Sequence, residues 1–165
     1  MGEEGPLSAD DTSALLARTG DGVDHRVETF AGATISIDAA DLAGLTGLVL
    51  ADGVTLNVEG ASGDLLNIAN ILTLDEGASA TVNVIGADGA ALDAPLADLL
   101  AFDSVTVTGE GSLEVSDVPA IDGTLAADAA VLAELEAKVD LGDAGNVTLV
   151  MAENAEANLT ADQFA

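Results

Sequence analysis

Residues 101–116, with the sequence Ala-Phe-Asp-Ser-Val-Thr-Val-Thr-Gly-Glu-Gly-Ser-Leu-Glu-Val-Ser, contain the clearest copy of a unit that recurs along the chain. Val105 and Val107 alternate with threonine, and Leu113 and Val115 alternate with glutamate and serine. Alternation with a period of two is typical of half-buried strands, and Gly-Glu-Gly is typical of a turn. The unit is therefore predicted to be a strand, an acidic turn and a second strand.

Four further copies show the same order, and they lie within residues 27–37, 48–58, 71–85 and 139–151. Between several copies, apolar residues recur at the i, i+3, i+4 and i+7 positions of an amphipathic helix. These helical segments contain Leu65, Leu66, Ile68, Ala69 and Leu72; Leu92, Leu96, Leu99 and Leu100; and Leu125, Ala129, Leu132, Leu135 and Val139. The full repeat is predicted to run helix, strand, acidic turn, strand.

The spacing of the copies is typical of a repeat protein. Successive copies begin about 20 to 35 residues apart, which is the range of solenoids and arrays. One such unit cannot bury its own apolar face, whereas stacked units can. We therefore expect an α/β fold, an elongated solenoid of helix–strand–turn–strand repeats. The alternative is an all-β solenoid or a sandwich with short helices.

The repeat also predicts how the domain is organised. Residues 1–6 are a tag-like segment, and residues 7–165 are expected to form a single repeat domain of about five units. The turn residues Asp52, Glu76, Glu110 and Asp143 are predicted to lie along one edge. The inward positions are predicted to form a continuous apolar stack, and they are Val54, Leu56, Val58, Val82, Val84, Leu113, Val115, Val147 and Leu149.

Both ends of the chain carry the pattern Leu-[Ser/Thr]-Ala-Asp-[Asp/Gln], at residues 7–11 and 159–163. At the first site Ser8 can cap a helix that runs to about Arg18, because a serine hydroxyl accepts a bond from the free N–H groups of the first turn. The second site is predicted to be a new helix start, so the chain is expected to be a slice of a longer array. The alternative is a short closing element.

The charge of the chain is extreme. Thirty acidic residues stand against three basic ones, Arg18, Arg26 and Lys138, which gives a formal net charge of -27. This charge repels phosphate backbones, so nucleic acid is excluded as a partner. We expect no membrane insertion either, since no run of about 18 apolar residues is present. Self-repulsion of this size predicts surroundings rich in salt or divalent cations.

The chain offers little for catalysis. It has no cysteine, and its single histidine, His25, stands in a loop segment without the oriented acid and nucleophile that a triad needs. Acidic neighbours such as Glu134 and Glu136 resemble an acid–base pair, but such neighbours arise by chance among 30 carboxylates. The chain is predicted not to be an enzyme.

The acidic turns are the candidate metal ligands. Asp52, Asp75, Glu76, Glu110 and Asp143 occupy equivalent places beside glycine, and stacking would align their oxygens. Calcium takes six to eight oxygen ligands in flexible geometry, so calcium is the candidate ion. The alternative is that these are simple turns, because Asp-Gly suits positive φ. No turn matches an EF-hand loop or the Gly-Gly-x-Gly-x-Asp nonapeptide.

The Leu-[Ser/Thr]-Ala-Asp helix starts, the Val-Thr-Val-Thr-Gly strand, the aspartate excess and the lack of cysteine resemble the repeat regions of bacterial surface proteins exported by type I secretion, namely RTX-like adhesins and surface-layer proteins. The resemblance covers nearly the whole chain, and its motifs are degenerate. It implies an extracellular structural or adhesive role, often with calcium. The ending Thr-Ala-Asp-Gln-Phe-Ala also resembles the C-terminal end of type I secretion substrates.

These observations predict a non-enzymatic, extracellular or cell-surface repeat segment of a bacterial surface or filament-forming protein, with calcium as a candidate stabilising ion. Its expected partners are further copies or neighbouring repeats, and cell-surface polysaccharide. One alternative is a segment of a viral fibre or spike. The other is a solenoid enzyme or binding protein for polysaccharide, which the shortage of Arg, Lys, Tyr and Trp disfavours.

Overall fold

A computed structural model of the chain describes residues 26–119, 129–142, 145–151 and 156–160. Within these ranges the strands are β1 (Arg26–Glu28), β2 (Thr34–Asp38), β3 (Gly47–Leu50), β4 (Thr55–Ala61), β5 (Gly63–Asp64), β6 (Leu72–Leu74), β7 (Thr81–Gly86), β8 (Ala91–Pro95), β9 (Ser104–Thr106), β10 (Ser112–Val118), β11 (Val139–Asp140), β12 (Asn146–Met151) and β13 (Glu156–Thr160). The helices are α1 (Ala39–Leu42), α2 (Leu66–Ile71), α3 (Leu96–Leu99) and α4 (Ala129–Lys138).

The described strands form three sheets. Sheet A has the order β1-β3-β6, sheet B the order β2-β4-β7-β9-β11, and sheet C the order β5-β8-β10-β12-β13. Every pair is parallel except β12 with β13, which is antiparallel. The α/β class predicted from the sequence is confirmed, in the form of mostly parallel strands with a few short helices.

The two strands of each predicted unit belong to different sheets. The units at residues 27–37, 48–58 and 71–85 join sheet A to sheet B, and the units at residues 101–116 and 139–151 join sheet B to sheet C, so the first strand of the fourth unit, β9, pairs with the second strand of the third, β7. In sheet B this pairing aligns one row of β-branched residues across all five strands: Ile37, Val58, Val84, Val105 and Val139. All five are buried, because the inward positions of successive strands cover one another.

The predicted apolar stack is confirmed. All nine inward positions expected from the alternation are buried and belong to one hydrophobic cluster. The cluster consists mainly of leucine, valine and isoleucine, and Phe102, which is only 2% exposed, is the one aromatic member among the described residues. Thin layers of aliphatic side chains therefore suffice to fill the space between the three sheets.

The helices are shorter than the sequence predicted. The first predicted segment forms α2, which ends where Leu72 begins β6. The second is largely wrong, since Leu92 lies in β8 and only Leu96–Leu99 is helical. Pro95 accounts for this difference, because the residue before a proline is driven out of the helical region and into extended backbone.

The third predicted segment forms α4, which runs over Ala129–Lys138 and ends where Val139 begins β11, while Leu125 lies outside the described residues. Helix α1 begins at an aspartate cap, where the Asp38 side chain accepts a 2.8 Å hydrogen bond from the Ala40 N–H. The helix start at residues 159–163 is wrong, because Leu159 and Thr160 end strand β13. The helix to Arg18 and the segment 1–6 lie outside the described residues.

Candidate functional surfaces

Three of the five predicted calcium ligands lie where sheet A turns into sheet B. Asp52 stands in the turn between β3 and β4, and Asp75 and Glu76 stand in the longer turn between β6 and β7. The two turns touch, since the Gly53 N–H donates to the Ser79 carbonyl at 2.7 Å and the Ser79 N–H donates to Asp52 Oδ1 at 3.0 Å. We call this edge the A–B corner.

Glu110 lies at a different edge, the B–C corner, in the turn between β9 and β10. This turn stacks on the one between β7 and β8, where the Gly89 N–H donates to the Thr108 carbonyl at 3.0 Å. Asp143 lies outside the described residues. The expectation of a single acidic edge is therefore wrong, because the units at residues 48–58 and 71–85 join sheet A to sheet B, whereas the unit at residues 101–116 joins sheet B to sheet C.

The aspartates of the A–B corner take part in turn geometry. Besides the bond from Ser79 to Asp52, the Glu76 N–H donates to Asp75 Oδ1 at 2.8 Å. Such bonds are typical of aspartate that stabilises a turn. Within the part of the chain that the structure describes, no group of three or more His, Cys, Asp or Glu residues is arranged to hold a metal ion. Calcium binding remains a prediction.

A row of carboxylates crosses the outer face of sheet C. Asp64 of β5 pairs in register with Asp93 of β8, and Asp93 pairs with Glu114 of β10. All three side chains are exposed, and the next position in the row is Thr148 of β12. Like charges directly opposite on adjacent strands destabilise a sheet. Sheet C therefore holds three of the 30 acidic side chains of the chain in one row.

A row of uncharged polar residues crosses the outer face of sheet B. Ser36, Asn57, Asn83 and Ser104 stand in register on four adjacent strands. Asn83 Nδ2 donates to Asn57 Oδ1 at 2.9 Å, and Ser104 Oγ donates to Asn83 Oδ1 at 2.8 Å. Three of the four side chains therefore bond to one another across adjacent strands, which stabilises the pairing of these strands.

An apolar groove runs beside strand β6, with a cavity volume of about 190 Å³. Its lining residues come from sheet A, from helix α2, from the start of strand β7 and the residue before it, and from the segment before β9: Leu50, Ala69, Leu72, Thr73, Leu74, Ala80, Val82, Ala101 and Phe102. Leu74 is 54% exposed in this groove, whereas the side chains of Leu50 and Phe102 are buried. The groove holds no charged side chain among its lining residues, which is unusual on so acidic a molecule.

The described acidic neighbours that resemble an acid–base pair do not face each other. Glu134 and Glu136 are both exposed on α4, and residues two apart on a helix do not face each other. His25 lies outside the described residues. Among the described helices none has the length and apolar character needed to span a membrane.

Comparison of the chain with protein-family models, with curated proteins and with solved structures gives no match.

Proposed function

We propose that this chain is a solenoid segment with a structural role, a non-enzymatic spacer in an extracellular bacterial surface or filament-forming protein. The observation that carries the proposal is the row Ile37, Val58, Val84, Val105 and Val139, which joins successive units in register through one apolar core. Repeated in-register pairing is the mechanical principle of a solenoid, since each unit is held by its two neighbours.

The dimensions of sheet B support a modular role. Five strands at about 4.8 Å spacing extend about 19 Å along the stacking direction. A rod with a length well above its width therefore requires further units, stacked in the same chain or contributed by another copy. Further repeats, self-association or contact with cell-surface polysaccharide are the partners that fit such a module.

The surfaces favour a structural role over an enzymatic one. The polar row on sheet B bonds to itself, the carboxylates on sheet C are exposed, and the groove beside β6 is apolar. Polysaccharide enzymes need convergent carboxylates in a cleft and groups that hold the sugar. The extracellular placement rests on the sequence resemblance and on a charge of -27, which suits cation-rich surroundings.

Force spectroscopy tests the proposed structural role. The chain is pulled between handles at its two ends, and we expect resistance to extension that is lost in steps as units separate. The Val84→Ala variant removes two methyl groups from the centre of the row. It is expected to lower the unfolding force and to lower the free energy of unfolding by about 2 kcal/mol. Thr81→Ala, an exposed change on the same strand, is the matched control. Extension of the unsubstituted chain without resistance, as in an unfolded polymer, would contradict the proposal.

A further inference from the structure

Sheet A ends earlier than the sheets beside it. It contains β1, β3 and β6 among the described residues, whereas sheet B continues through β9 and β11. Between β8 and β9 the chain passes through α3 and residues 100–103, and no strand forms there beside β6. Strand β6 therefore has β3 as its one described partner, and its other edge borders the groove.

The exposure of the β6 side chains shows what this edge lacks. Leu48 and Leu50 of β3 are the register partners of Leu72 and Leu74, and they are 4% and 1% exposed because β3 has a neighbour on each side. Leu72 is half-buried and Leu74 is 54% exposed. One additional strand beside β6 would cover Leu72 and Leu74 as β6 covers the residues of β3.

The opposite wall of the groove is fixed in place. It contains Ala101 and Phe102, and Phe102 is anchored in the core. Lys138 Nζ donates to the Phe102 carbonyl at 2.6 Å and to the Leu100 carbonyl at 3.1 Å, which ties this wall to the end of α4. The groove is therefore held open between two supported walls.

We propose that the groove beside β6 binds an extended peptide segment of a partner protein as a fourth strand of sheet A. An open strand edge binds a peptide through main-chain hydrogen bonds, and adjacent apolar surface selects its alternate side chains. The segment has apolar residues at two alternate positions, which cover Leu72 and Leu74. Basic residues flank them, because the exposed Asp75 and Glu76 follow β6 directly and the whole molecule carries -27. This interaction goes beyond the proposed spacer role and does not depend on it.

The experiment uses a fluorescently labelled synthetic peptide, Lys-Thr-Val-Thr-Val-Thr-Lys, and measures its binding to the full chain by anisotropy. We expect saturable binding that weakens about tenfold in the Leu74→Ser variant, because the apolar contact is lost. Phe30→Ser is the matched control, since Phe30 is 77% exposed beside the opposite edge strand of sheet A, β1. This control is expected to bind the peptide as the unsubstituted chain does.

Two further measurements locate the site and test the chemistry. Hydrogen exchange is expected to show new protection at Leu72–Leu74 when the peptide is added, because the edge gains a partner. A second peptide with glutamate in place of both lysines is expected to bind more weakly, and the difference should shrink with salt.

Several outcomes would overturn the proposal. The first is that the peptide does not bind at millimolar concentration. The second is that Leu74→Ser and Phe30→Ser weaken peptide binding equally. The third is that the acidic and basic peptides bind with equal affinity. Sedimentation that shows a dimer of the chain, converted to a monomer by Leu74→Ser, would assign the groove to a second copy instead. Force measurements on the unliganded chain test the spacer role separately, so either proposal can fail alone.

Discussion

Gly111 illustrates a residue whose role depends on a neighbouring unit. A Cβ atom placed there would lie 2.7 Å from the Ala90 carbonyl oxygen and 2.8 Å from Val107 Cγ1. Ala90 belongs to the preceding turn of the B–C corner, and its carbonyl accepts a hydrogen bond from the Ser112 N–H at 3.0 Å. The units therefore approach so closely at this corner that only glycine fits.

The Gly111→Ala variant is expected to lower the free energy of unfolding by about 2 to 3 kcal/mol, because the extra methyl group presses on backbone that cannot move freely. Gly89→Ala is the control at the adjacent turn. Gly89 has φ +70°, and a Cβ there meets nothing within 4 Å, so the expected cost is only the left-handed backbone penalty of about 1 kcal/mol. Urea unfolding, monitored by circular dichroism, measures the free energy of unfolding of both variants. An equal decrease in the two variants would show that Gly111 is not held in close contact with Ala90.

Prediction from sequence succeeds at single residues where the cause is local. The inward positions Val84 and Leu113 follow from alternation alone, and both are fully buried. Gly111 can be recognised as a turn residue, but its contact with Ala90 lies 21 positions away in the sequence. Such a contact becomes visible only after the stacking of the turns is known.

Among the elements, sheet C shows where sequence prediction fails. Strand β8 was predicted as part of a helix, because Leu92, Leu96, Leu99 and Leu100 match helical spacing. Its residues also alternate between exposed and buried, and Pro95 marks the boundary. Strand β5 is only two residues long, and antiparallel β13 ends with Leu159 and Thr160, the first two residues of a helix-start pattern. The acidic row of sheet C was missed for this reason, since two of its three members lie on β5 and β8.

The acidic row predicts a stabilising substitution. Asp93 stands between Asp64 and Glu114 on neighbouring strands about 5 Å away. Asp93→Asn keeps the shape of the side chain and removes two like-charge contacts. We therefore expect the free energy of unfolding, and with it the melting temperature, to rise, the former by about 0.5 kcal/mol at low salt. In about 1 M sodium chloride the gain should vanish, because the Debye length of about 3 Å is then shorter than the strand spacing.

The control for the acidic row is Glu28→Gln on β1. Glu28 is exposed, and its register partner is the apolar Val49, so the substitution removes one negative charge without a cross-strand carboxylate. It reports the effect of net charge alone. If Asp93→Asn and Glu28→Gln raise the melting temperature equally at low salt, the local repulsion in sheet C is negligible.

At the scale of the whole molecule, the charge of -27 predicts a general response to salt. Between about 0.01 M and 1 M sodium chloride the Debye length falls from about 30 Å to about 3 Å, so repulsion among distant carboxylates is progressively screened. The folded state concentrates these charges more than the unfolded chain does and gains more from screening. We expect the melting temperature to rise across this range in differential scanning calorimetry. A constant melting temperature would contradict the prediction.

Specific calcium binding must exceed that general effect. An ion that binds only the folded state adds RT ln(1 + [L]/Kd), about 2.7 kcal/mol at a hundredfold excess over Kd. Millimolar calcium should therefore raise the melting temperature beyond sodium chloride at matched ionic strength, and magnesium should do less because it requires tight octahedral geometry. The four predicted ligands that the structure describes lie at two corners, so Glu76→Gln tests the A–B corner and Glu110→Gln the B–C corner. Loss of the calcium increment in one variant, with the sodium response retained, would assign the site to that corner. Equal behaviour of calcium, magnesium and both variants would mean that these carboxylates serve only as turn residues.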